Sequence, residues 1–221
     1  MDKKRLLIEV TGSAIYLSHL DRMRTFQRAF SRGNIALYHT EGFNPHPYIS
    51  FALPLPVGME SVCEILDFET VDDTKLADVP ALLNPQLPQG ISVLEAYESP
   101  RKIKELSHLS LESVWEYDSL SQMDERAEKL QDFFTSADIS VRKLNKKKQE
   151  NIINIAPLIK EISFTPQEGH IQVKTTLAAQ NPGLNPNLLV EALKQNNPGL
   201  TPDFASFRRL AVLDSNLESF R

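Results

Sequence analysis

Cysteine is almost missing: Cys63 is the only one in 221 residues. No disulfide can therefore close within the chain, and no multi-cysteine zinc or iron–sulfur site can be built from it alone. Glycine is scarce, with 8 against 14 prolines. The chain has no Gly-x-x-x-x-Gly-Lys-Ser/Thr, Gly-x-Gly-x-x-Gly, Gly-x-Ser-x-Gly or Cys-x-x-x-Cys-x-x-Cys run. These absences argue against a nucleotide hydrolase, a Rossmann dehydrogenase, an α/β-hydrolase and a self-sufficient iron–sulfur radical enzyme. No apolar run approaches the roughly 18 residues a membrane span requires. The start, MDKKRLLIEV, passes from charge straight into a strand-like pattern, so the expectation is a soluble, unprocessed, cytoplasmic protein without a membrane partner. What is present, 41% hydrophobic and 24% charged residues, suits one large folded domain or two small ones and excludes a disordered chain.

The net charge of −5 is unevenly spread. Residues 1–58 hold seven Lys/Arg against four Asp/Glu, or +3, and residues 59–221 hold seventeen against twenty-five, or −8. This is the asymmetry of a basic site on an acidic body.

Residues 4–10 read as a strand. Ser18-His19-Leu20-Asp21 is a capping box that opens a helix with a stripe of Leu20, Met23, Phe26, Ala29 and Phe30, and Gly33 closes it. Arg24, Arg28 and Arg32 share another face with Asp21. Strands follow at 35–38, 48–53 and 62–70, the first two separated by a stiff loop, His39 to Pro47, in which two prolines bracket His46. A helix at 74–83 interrupted by Pro80 and a strand at 91–97 complete a first unit, residues 1–100. The order nearly repeats over 105–221: strand 109–117, a helix behind a Ser121/Asp124 box, strand 139–144, an apolar connection 151–159, a hairpin 160–164/170–177, a helix after Asn185-Pro186, and a strand 207–213. The predicted class is α+β, two tandem ferredoxin-like (β-α-β-β-α-β) halves with antiparallel sheets.

His19, His39 and His46 fall within 28 residues, together with Asp21, Arg24, Glu41 and Asn44. At the first helix cap, His19 lies by unpaired N–H groups that suit phosphate or carboxylate, and Arg24 and Arg28 extend that anion site along the helix. The proline-braced loop presents Phe43, Asn44 and His46 already ordered for binding. The predicted anion-binding set is His19, Arg24, Arg28, Phe43, Asn44, His46 and Ser50. Each residue also has a plainer reading: Asp21 as a capping carboxylate, the arginines as a solvated helix face, Phe43 as a lid on the core. No His, Asp or Glu pair has a recognised metal-ligand spacing, so no metal and no cofactor is expected. A metal-independent ribonuclease or RNA-modifying enzyme using His19 and His46 as acid and base is the catalytic alternative. Five positive charges in residues 142–148 read either as a solvated turn or as a phosphate contact, and Cys63 reads as a small buried hydrophobe.

LSHLDRMRTFQRAF followed by EGFNPHPYISFALPLPVGMES resembles the hallmark of the radical-SAM-linked family, a bacterial domain family of unknown function. Its members are stand-alone chains or the C-terminal part of cobalamin-type radical-SAM proteins. Ser18, His19, Leu20, Asp21, Arg24, Gly42, Phe43, Asn44, Pro45, His46, Pro47, Ser50, Pro54, Pro56 and Gly58 match its pattern. The second half departs from it at Asn154-Ile155-Ala156-Pro157-Leu158-Ile159, where an acidic residue and an arginine are usual. The resemblance implies an accessory protein that serves a radical-SAM partner. The function expected is a non-catalytic module that binds an anionic substrate, RNA above all, with a purely structural adaptor as the other non-enzymatic alternative.

Overall fold

Leu6, Ile8 and Val10 alternate along the first strand, β1 (Lys3–Val10), and each is fully buried. On the alternate face Arg5 and Leu7 are buried as well, so over this stretch β1 is covered on both faces. The computed structural model describes residues 3–71, 73–119, 122–144 and 150–221. It is a mixed α+β protein whose registered strand pairs are all antiparallel. Two compact units divide the chain. One is Met1–Glu105 with Arg209–Ala211 and Ser219–Arg221, and the other is Leu106–Arg208 with Val212–Glu218.

The first unit runs β1, α1 (His19–Arg32), β2 (Ile49–Phe51), β3 (Met59–Phe68), α2 (Val79–Leu83) and β4 (Ile91–Ser99). Its strands lie in the order β4-β1-β3, with β2 also on β3. Phe26, Ala29 and Phe30 of α1 are fully buried, and Phe30 meets Phe68 of β3 at 5.2 Å between ring centroids. Gly90 precedes β4 at φ +90°, where a Cβ would stand 2.3 Å from the Thr11 carbonyl oxygen. Glycine alone fits there.

Several expectations change here. The α1 stripe is turned: Leu20 is 64% exposed, and Arg22 takes the inward position in its place. Gly33 ends α1 at φ −75°, and the left-handed residue is the following Asn34, at φ 55°. Residues 35–38 make a single bridge, Leu37 to Thr70, rather than a strand. Pro80 starts α2 rather than interrupting a longer helix, because proline in a first turn forfeits no helical hydrogen bond.

In the second unit come β5 (His108–Glu116), α3 (Met123–Phe134), β6 (Ser140–Leu144), β7 (Glu150–Asn154), β8 (Ile159–Gln167), β9 (His170–Ala178), α4 (Asn187–Asn196) and β10 (Phe204–Leu213). Residues Arg209–Ala211 of β10 count with the first unit. The strand order is β10-β5-β9-β8, while β6 and β7 pair apart as a two-stranded sheet. Trp115 of β5, Phe134 of α3 and Phe164 of β8 gather into one aromatic cluster, with centroids 5.6–6.2 Å apart. The expected apolar connection at 151–159 is in fact β7 followed by a short 3-10 turn, Ala156–Leu158. The helix expected behind a serine cap starts instead after Gln122, which is left-handed at φ 62° and makes no side-chain cap; Ser121 lies outside the described residues. Among the described residues no helix is long and apolar enough to cross a membrane.

Candidate functional site

Ser18 caps α1 as its spacing predicts. Its hydroxyl accepts from the Asp21 N–H at 3.2 Å and donates to the Asp21 carboxylate at 2.6 Å. The other carboxylate oxygen of Asp21 meets Arg24 Nη1 at 3.5 Å, with both side chains more than half exposed. Asp21 thus serves the cap and holds Arg24 over the first turn. His19 packs edge-on against Phe51 of β2, 5.8 Å between centroids, and Phe51 in turn meets Phe26 at 5.7 Å. Ser50 precedes Phe51, opposite Asp67 in the β2–β3 register, and is exposed.

The stiff loop is a closed finger. His39 and Pro47 form a bridge, Tyr48 N–H donates to Tyr38 O at 2.7 Å, and Thr40 N–H donates to His46 O at 2.9 Å. His46 N–H returns to the Thr40 hydroxyl at 3.2 Å, and its ring Nδ1 lies 3.1 Å from that hydroxyl and 3.2 Å from Asn44 O. His39 Nδ1 is likewise within 3.1 Å of Leu37 O. At the tip Gly42 adopts φ 122° and Phe43 stands clear of all packing, with a relative exposure of 111%. Asn44 and His46 are exposed beside it.

The predicted residues therefore occupy three places. His19 and Arg24 are at the head of α1, and Ser50 is on the strand that His19 packs against. Phe43, Asn44 and His46 share the finger. Arg28 lines, with Arg32, a groove of about 400 Å³ walled by Pro85, Leu87 and Pro88. Among the described residues, no hydrogen bond, ion pair or ring contact joins His19 to His46. No group of three or more His, Cys, Asp or Glu in the described residues is placed to hold a metal ion. Of the basic run, Arg142 and Lys143 are exposed on β6, and Lys146, Lys147 and Lys148 lie outside the described residues.

Beneath the site is a charged cluster that sequence reasoning missed. Arg22, Glu64 and Arg209 are each only 2% exposed. Arg209 Nη1 donates to Glu64 at 2.8 Å. The two guanidinium groups also hold the Leu53-Pro54-Leu55 segment by its carbonyls: Arg22 donates to Leu55 O, and Arg209 reaches Leu53 O and Pro54 O at 3.4 Å. Among the described residues neither Nε has a hydrogen-bond partner. Burial lowers the Arg22 pKa from its ordinary value; Glu64 opposes that shift and Arg209 adds to it. The signal was available: Arg22, Phe26 and Ala29 are spaced as one helix face, and Glu64 is the lone acid in Val62 to Leu66.

Next to Glu64, burial pushes the Cys63 thiol up to about 12 from its ordinary 9.0, with the Glu64 charge adding to the shift. Between those values the folded chain keeps a proton that the unfolded chain has released. Stability must therefore fall as pH rises from about 9 towards 12. In urea titrations at stepped alkaline pH, the wild type is expected to lose stability more steeply than Cys63→Ala; equal slopes would refute the assignment.

A family model described as an uncharacterized protein conserved in bacteria (DUF2344) matches residues 3–186. The chain belongs to this family. No curated protein matches this member of DUF2344. Among solved structures it is similar to a chain of a Cbf5-Nop10-Gar1 complex, with a TM-score of 0.51 and 6% identity over 95% of this chain and 48% of that one. This chain thus covers about half the length of that one, and at such low identity the likeness is one of fold alone.

Proposed function

We propose that this DUF2344 protein is a cytoplasmic, non-catalytic module that binds an anionic ligand, single-stranded RNA, on behalf of a partner radical-SAM enzyme. The observation that carries the binding reading is Phe43: an aromatic ring held wholly in water at the tip of a finger closed by hydrogen bonds and two prolines. Exposing a ring forfeits its burial energy, and bracing the loop that exposes it lowers the ordering cost of binding. Bases stack on such a ring whatever their sequence. Arg24 and Arg28 on α1 supply cations for phosphate. The radical-SAM partner rests on the motif resemblance.

Each unit follows the ferredoxin-like plan. Strand order supports it, since β4-β1-β3-β2 and β10-β5-β9-β8 are the same arrangement when each unit's strands are counted in turn and β6–β7 is treated as an insertion.

The test is binding of labelled single-stranded RNA at stepped salt. Affinity is expected to fall linearly on a log–log plot, because displaced counterions are released, with a slope of about −0.7 per phosphate contacted. Binding to no RNA at low salt would defeat the reading. Recovery from bacterial cells of a radical-SAM protein without RNA would leave the structural adaptor.

A further inference from the structure

Arg24, Arg28 and Arg32 follow one another at one-turn intervals along the exposed side of α1. Arg24 is paired with Asp21. Among the described residues no acid pairs with Arg28 or Arg32. Like charges four residues apart repel and weaken a helix. The carbonyl end of α1 accounts for Arg32, which lies in its last turn, but not for Arg28.

Both arginines line the groove of about 400 Å³ described above, together with Thr25 and Gln86, and Pro85 and Pro88 wall it. Four of its side chains can donate hydrogen bonds, and no carboxylate lines it. The groove is fixed from both sides. Gly33 ends α1 so close to α2 that a Cβ there would stand 3.2 Å from the Leu82 carbonyl oxygen. On the other wall Asn84 is tied to β4: its Nδ2 donates to Val93 O at 3.0 Å, and its Oδ1 accepts from Val93 N–H at 2.7 Å. A groove so braced loses little freedom when a ligand enters.

A phosphate within an RNA chain offers two free oxygens and one charge, whereas a terminal phosphomonoester offers three oxygens and a charge of about −1.5 to −2. Two guanidinium groups on successive turns, with Cβ atoms about 5–6 Å apart, can close on one such dianion from two sides. We infer that this groove holds the phosphorylated end of a single-stranded RNA, with Arg28 and Arg32 clamping the phosphate and Thr25 and Gln86 donating beside them. The inference rests on the RNA reading and deepens it by naming which RNA is preferred.

The test is the affinity of the full chain for one internally labelled RNA sequence phosphorylated at its 5′ end, at its 3′ end or at neither. A hydroxyl-ended strand two nucleotides longer, of about the same total charge, is the control. One phosphorylated strand is expected to bind about tenfold more tightly than that control, the gain from a charge-assisted hydrogen bond or two. Arg32→Gln should bring this ratio close to one. Arg28→Lys, which keeps the charge but loses the planar fork, should retain only part of it. Equal binding of phosphate-ended and hydroxyl-ended strands would overturn the inference and leave the RNA reading standing, and so would a preference that survives Arg32→Gln. Failure of every strand to bind would sink both. Binding of uridine monophosphate that Arg32→Gln abolishes, with RNA ends making no difference, would give the groove to a free phosphorylated molecule and overturn the assignment to RNA.

Discussion

Glu64→Gln is expected to destabilise the protein by about 3–5 kcal/mol, the loss typical when one partner of a buried ion pair is removed. Glutamine keeps the shape and can still accept from Arg209, so the change isolates charge. What it leaves is two buried guanidinium groups, Arg22 and Arg209, with no other ion pair to either among the described residues. The cost then lies in the stranded cations rather than in a lost attraction. It should therefore persist in about 1 M salt, where exposed pairs are screened. Replacing the acid and its nearest base together, Glu64→Leu with Arg209→Met, should cost less than the single change, since it strands one cation, Arg22, in place of two. Urea unfolding with constant m-values measures all three. A loss under about 1 kcal/mol for Glu64→Gln would mean that water reaches the cluster.

The same cluster shows where the sequence stopped being legible. The first strand, the Ser18 cap, α1 and β3 could be read because each depends on neighbours within a turn or on alternation along one strand. Arg22 was passed over although its spacing with Phe26 and Ala29 marks an inward face, because an arginine there reads as polar surface until its carboxylate is known. That carboxylate is 42 residues away, and the second guanidinium is a further 145 along the chain. Leu20 was drawn inward for the converse reason: hydrophobicity alone favoured it, while the cap at Ser18 set the rotation of the helix. β7 was missed because Asn151-Ile152-Ile153-Asn154 has no clean alternation, and its pairing depends on β6 and on two amide side chains from α4. Residue types were legible in the candidate site and their engagement was not. The His46 ring is held by Thr40 and Asn44, and the His19 ring rests on Phe51, contacts that no spacing encodes.

Phe43→Ala separates recognition from structure. The ring touches nothing that folding requires, so its removal should change stability by no more than about 0.5 kcal/mol. If a base stacks on it, affinity for single-stranded RNA should fall about 5- to 150-fold, the range for losing one base–aromatic stack. The salt slope should stay unchanged, because no phosphate contact is lost. Arg24→Ala should do the reverse, with a modest loss of affinity and a shallower slope. The loss should be modest because Arg24 gives up its pairing with Asp21 to reach phosphate. Phe43→Trp should restore binding, since a larger flat ring stacks at least as well, whereas a ring serving as a plug in a partner protein's socket would not tolerate the added volume. Retained RNA affinity in Phe43→Ala would remove the finger from the site and leave the head of α1 to carry binding alone.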